Sequence, residues 1–151
     1  MRNDDLSMFG VGGTPVEVDE TYIGRKAGVV KEPKSRGFAH KLRVVSLVDR
    51  ATGAARSIDA NKYVVGEVAA IVRENVAREA RLMTDEAQHY RAVGREYFSH
   101  QSTNHSRGVY AIGENHTNTI EGFFSIFKRG MRGVYQHCSQ KHLHRYLAEF
   151  D

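Results

Sequence analysis

Three carboxylates occupy positions from which a fold could bring them together: Asp19, Asp85 and Glu121. Asp19 lies among valine, threonine, tyrosine and isoleucine, in a stretch that reads as a strand, where aspartate is disfavoured. Asp85 follows a short apolar strand, and catalytic groups of α/β folds gather at strand ends. Glu121 falls in the first turn of a strongly amphipathic helix. Carboxylate oxygens are hard ligands that suit magnesium, with substrate phosphate completing the shell. Two such ions about 4 Å apart can clamp the attacking and leaving oxygens of a phosphodiester. These residue types point to metal-assisted phosphoryl transfer. Each also has a plainer reading. Glu121 stands three residues after Asn118, the spacing of a helix capping box. Asp85 could be a turn residue at a strand end. Glu17, Glu20 and Glu86 are neighbouring acids that could substitute in the role.

Helix geometry separates two faces around Glu121. At about 100° per residue, Asn118, Glu121, Ser125, Lys128 and Arg132 share an arc of about 80°. Ile120, Phe123, Phe124, Phe127 and Met131 fill a neighbouring arc that must face the core. A carboxylate at one level and Lys128 two turns along would suit a metal and a DNA backbone. An ordinary exposed lysine is the alternative.

The elements that must position these residues are legible in outline. A chain of 151 residues, 40% hydrophobic and 26% charged, suits one globular domain. No apolar run of about 18 residues exists, which excludes a membrane span of that kind. Cys138 is the single cysteine, so a cysteine-based zinc ribbon is excluded. Residues 1–9 lack the apolar core of a secretory signal, and a cytoplasmic setting is expected. Residues 1–15 read as a lead-in, with glycines and Pro15 as breakers. Strands are predicted over 16–23, 42–48 and 54–59, with a hairpin turn at 49–53. A helix is predicted over 63–80 from Val64, Val68, Ile71 and Val72. A short strand at 81–84 would deliver Asp85, and a short helix at 89–97 follows. A further strand at 108–112 and helices at 119–130 and 140–150 complete the order. Three antiparallel strands, then a crossover helix and a further strand, predict an α/β mixed sheet with flanking helices.

The net charge is +4, and its distribution says more than its sum. Residues 1–24 carry −4, and residues 25–56 carry +7. The basic stretch contains Arg25, Lys26, Lys31, Lys34, Arg36, Lys41, Arg43, Arg50 and Arg56. It could neutralise phosphates and release their counterions, or form a solvated loop. Histidines concentrate late in the chain. His137, Cys138, His142 and His144 do not match structural zinc spacings. His89 and His116 lie near the acidic site and could contact DNA or order a water. Tyr22, Tyr90 and Tyr110 are expected in the core rather than as a base-stacking platform.

Residues 116–130, with Asn118, Glu121, Phe124 and Lys128, resemble the third catalytic motif of a bacterial insertion-sequence transposase family. Residues 16–24 around Asp19, Thr84-Asp85-Glu86, and the tail 143–150 resemble the same family. It belongs to the DDE transposase and retroviral-integrase superfamily. The resemblance implies a ribonuclease H-like domain over 16–151. Asp85 and Glu121 have 35 residues between them, the superfamily's familiar spacing. It implies that Asp19, Asp85 and Glu121 hold two magnesium ions, with manganese able to substitute. It implies DNA as substrate, both element ends and target, and Lys128, seven residues after Glu121, fits that pattern; by charge and position Arg129, Arg132, Asn118, His116, Arg25 and Lys26 are expected to meet the DNA as well. It implies a homo-oligomer acting on paired ends. Full members carry an N-terminal zinc-ribbon or helix-turn-helix region that these residues do not match, so an isolated or truncated catalytic domain is expected. Related families vary their third ligand, which makes Asn118 the alternative to Glu121. A ribonuclease H-like nuclease without joining activity, and a silent DNA-binding remnant, are the rival functions.

Overall fold

The structure is a computed structural model that describes residues 7–31, 33–34, 37–85, 87–103, 118–133 and 139–151. Strand β1 (Pro15–Ile23) pairs antiparallel with β2 (Leu42–Asp49), which pairs antiparallel with β3 (Ala55–Asp59). Strands β4 (Arg81–Asp85) and β5 (Ser99–Thr103) run parallel to β1, giving the sheet order β3-β2-β1-β4-β5. Helices α1 (Val68–Asn75), α2 (Gln88–Gly94), α3 (Asn118–Gly133) and α4 (Leu143–Leu147) cover the sheet. This is the expected mixed sheet, three antiparallel strands extended by parallel ones, and its class is ribonuclease H-like.

Alternation along the strands divides the core in two. Val16 and Val18 of β1, Val45 and Leu47 of β2 and Leu82 of β4 pack on Ile71 and Val72 of α1 and on Tyr90 and Val93 of α2. The opposite residues, Ile23, Leu42 and Val44, meet Phe127 and Met131 of α3 and Leu143 and Leu147 of α4. Every residue of β2 is buried, Arg43, Ser46 and Asp49 included, and its largely apolar sequence suits a strand covered on both faces. On α3 the buried residues are Ile120, Phe124, Phe127 and Met131, the apolar arc predicted by spacing.

Several boundaries differ from the sequence expectation. The helix expected over 63–80 is confined to α1, preceded by a single 3-10 turn at Val65–Glu67. Val64 is exposed, and its N–H is taken by the Glu67 carboxylate at 3.0 Å. At the other end Val76 leaves the helix to bridge Phe9 in parallel, which recruits part of the lead-in into the core. The final helix is likewise shorter, a 3-10 turn at Gln140–His142 running into α4. Strand β5 was not expected at all. Its residues are polar and only Thr103 is buried, so an edge strand carries no apolar signature. The strand expected at 108–112 lies outside the described residues, as do Tyr110, His116, His137, Cys138 and Glu86. Among the described residues no helix is long and apolar enough to cross a membrane.

Candidate active site

The parallel pairing of β1 with β4 sets the level of the two aspartates. Val16 stands opposite Leu82 and Glu17 opposite Met83. Two residues further along, Asp19 and Asp85 come level on neighbouring strands and point to the same face. That face is the α3 side, because Glu17 and Ile23 both meet α3 or its core.

Glu17 explains how α3 is held there. Its side chain is fully buried. One carboxylate oxygen, Oε2, accepts the backbone N–H of Ile120 at 2.7 Å, in the first turn of α3. The other, Oε1, accepts Nε–H of Arg50 at 2.5 Å. A carboxylate at a helix N-terminus satisfies an orphan donor and favours the positive end of the dipole. Glu121 is the next residue along. The described part of α3 opens at Asn118, three residues before Glu121. The N-terminal donor is served by a strand 103 residues away in sequence.

The charges of Asp85 and Glu121 both reach Asp19. Its pKa is pushed up from 3.8 to about 7. Burial is the largest cause; the charges of Asp85, Glu20 and Glu121 add to it, and the 2.7 Å hydrogen bond from the Glu20 N–H opposes it. Asp85 has a second duty, since its Oδ1 accepts the N–H of Ala87 at 3.0 Å just before α2. Its turn role is therefore real, and leaves a second carboxylate oxygen. Two of the neighbouring acids are occupied elsewhere. Glu17 is bound to Arg50 and α3, while Glu20 lies 2.9 Å from Nε2 of His89, 3.8 Å from Arg43 and 3.5 Å from the Tyr90 hydroxyl. The donor set of Asp19, Asp85 and Glu121 fits a hard divalent cation by chemistry. Among the described residues, however, no three acidic, histidine or cysteine side chains stand close enough to enclose an ion.

Cations surround this site unevenly. Lys128 and Arg132 of α3 line a cavity at the C-terminal end of β1, and Arg129 joins them on a shallower neighbouring surface. Asn118 is exposed at the start of α3. Lys26 lines a second depression beside Lys41, and Arg25 is exposed nearby. Lys31, Lys41 and Arg25 crowd His40; with its desolvation, the larger cause, they hold its pKa below the usual value. Three cations of the basic stretch instead serve the fold. Arg43 donates to the carbonyls of Ala60, at 3.0 Å, and Tyr63. Arg50 binds Glu17, and Arg56 donates to Asn75 at 2.9 Å while lying over the Phe9 ring. Charge counting could not separate these from the cations left to solvent. Tyr90 is buried as expected, but Tyr22 stacks on the half-exposed Phe38 rather than entering the core.

Asp19 in the middle of β1, Asp85 at the end of β4 and Glu121 in the first turn of α3 come from three elements of a ribonuclease H-like sheet and its facing helix. Residues 10–151 match the ISXO2-like transposase domain, and the chain belongs to that family. An uncharacterized protein in transposable element ISH50 of Halobacterium salinarum is 29% identical over 152 residues, covering 90% of this chain and 50% of its own length. The chain thus spans about half the length of that curated relative. No solved structure matches it.

Proposed function

We propose that this chain carries the catalytic centre of a DNA transposase, cutting DNA at an element end and joining the freed 3′-hydroxyl to a target strand. One observation carries the proposal: the pKa of Asp19 on β1 is raised by burial first, and then by the charges of Asp85 on β4, of Glu20 and of Glu121 on α3. Acids brought together from three elements, with one of them half-buried, are costly unless a cation or a developing charge needs them. Asp19, Asp85 and Glu121 would hold magnesium, two ions in the fullest form, with manganese able to substitute. Bound there, the metal would activate the attacking oxygen and stabilise the leaving one. Asn118 stands beside Glu121 as the alternative third ligand.

The remaining residues orient the substrate. Lys128, Arg129 and Arg132 lie along one side of α3 beyond Glu121 and meet the phosphate backbone. Arg25 and Lys26 extend that surface. Glu17 fixes the helix so that Glu121 faces the aspartates. In joining, a P–O bond to the target's leaving oxygen breaks as a bond to the incoming 3′-oxygen forms, so the number of phosphodiester bonds is conserved. Action on two ends calls for two copies of the chain, and a homo-oligomer is part of the proposal.

Incubation with pre-cut duplex ends and a circular target tests this. Joined product is the expected result. Nicked target without joining would instead support a hydrolytic nuclease, and binding alone a silent DNA-binding domain.

A further inference from the structure

A cavity of about 610 Å³ opens at the C-terminal end of β1, along Glu20 to Gly24. Its volume lies within the range of about 300–1,000 Å³ typical of small-ligand sites. Two features of its lining are unlike an ordinary surface cleft. Tyr22 and Phe38 stack with centroids 4.8 Å apart and planes within 19°. Phe38 is nonetheless 51% exposed, so the pair is not closed into the core. Around this aromatic wall stand Lys41, Lys128 and Arg132. Nζ of Lys41 sits 5.4 Å from the Phe38 ring centre, a cation drawn to the ring face.

We infer that this cavity receives one unpaired nucleotide of the DNA end, its base on the Tyr22–Phe38 pair and its phosphate on Lys41, Lys128 and Arg132. The inference rests on the proposed action on DNA and names the part of the substrate that this site takes. Aromatic planes bind a base by its π-face, which is open only when the base has left the duplex stack. A paired duplex offers this wall edges and phosphates alone. The incoming nucleotide replaces both halves of the Lys41–Phe38 contact, since its base covers the ring while its phosphate takes the ammonium. Tyr22 lies three residues beyond Asp19, about 10 Å along a strand that rises about 3.3 Å per residue, and alternation sets it on the other face of β1 near the strand's end.

The experiment uses a duplex with a short single-stranded 3′ extension carrying 2-aminopurine, and a blunt duplex with the same probe paired. Binding is followed by fluorescence in metal-free buffer, so that joining makes no contribution. The expected result is quenching of the extension probe and tighter binding of the extended duplex. Phe38→Ala should lose that preference by roughly 5- to 140-fold, the worth of one base–aromatic stack, while binding the blunt duplex unchanged. Phe38→Trp should restore it. Absence of quenching, or equal weakening of both duplexes by Phe38→Ala, would overturn the inference. Wild-type joining, assayed separately, keeps the two readings apart. Joining without quenching rejects the nucleotide pocket alone, and quenching without joining rejects the strand-transfer reading alone.

Discussion

Glu17 on β1 accepts the backbone N–H of Ile120 at 2.7 Å, and so ties the central strand to the first turn of the helix that bears Glu121. The same carboxylate binds Arg50 beyond the end of β2. Because Glu17 is fully buried, its removal takes away the carboxylate to which the Ile120 N–H and the Arg50 guanidinium both donate. Breaking such a buried pair costs about 3–5 kcal/mol. Glu17→Ala should show that loss in urea unfolding, whereas Glu17→Gln, which keeps an acceptor for Ile120, should lose less. An alanine variant within about 0.5 kcal/mol of wild type, the scale of an ordinary surface change, would contradict this.

Asp19 makes stability depend on pH. Its pKa in the folded protein is about 7, against 3.8 for the free group. Between these values the folded state holds a proton that the unfolded chain has released. Stability therefore falls as pH rises through this window, by at most about 1.4 kcal/mol per pH unit. In metal-free buffer the wild type should weaken from pH 4 to pH 7 more steeply than Asp19→Asn. Parallel stability profiles for the two proteins would remove Asp19 from a shared acidic site.

The basic surface should bind duplex DNA without sequence preference. If about five phosphates are neutralised, log affinity should fall against log salt with a slope of about −4 to −5. Replacing Lys128 and Arg132 together by glutamine should flatten the slope by about two. An unchanged slope would leave those side chains out of the contact.

Gly94 closes α2 against β5. A methyl group there would lie 2.7 Å from Cβ of His100 and press on its ring. His100 in turn reaches Oγ1 of Thr84 through Nε2 at 2.9 Å, beside Asp85. Helix propensity alone favours alanine by about 1 kcal/mol, but overpacking costs about 1–3 kcal/mol. Gly94→Ala should lower the melting temperature, because turning the His100 ring aside leaves its Cβ in place. A clear rise would show that β5 sits further from α2.

The sequence made some of this legible and not the rest, for physical reasons. The 3.6-residue period of Ile120, Phe124, Phe127 and Met131 is a strong signal because one face of α3 is fully buried. The apolar run of β2 was equally plain. Strand β5 was invisible, since Ser99–Thr103 is a polar edge whose place depends on pairing with β4. The helix limits at Val64 and Val76 were misjudged because local turns and a bridge to Phe9 override helical period. Asp19, Asp85 and Glu121 stood out by type and position. The role of Glu17 did not, although a glutamate on the core-facing side of a strand was the available signal. Phe38 sits in a polar loop, and nothing in its neighbours announces the stack with Tyr22.

The most direct measurement is strand transfer with pre-cut ends by the Glu121→Gln protein, run beside melting with and without magnesium. Glutamine keeps length and hydrogen bonding but removes the charge that a hard cation needs. Joining should drop by several orders of magnitude, and stabilisation by magnesium should shrink. Stability without metal should hold or rise, because one of three mutually repelling carboxylates is gone. Asp19→Asn and Asp85→Asn should behave alike, and their losses should not add, as for groups that act as one unit. Undiminished joining by Glu121→Gln would contradict the account, remove Glu121 from the site and make Asn118 the residue to replace next.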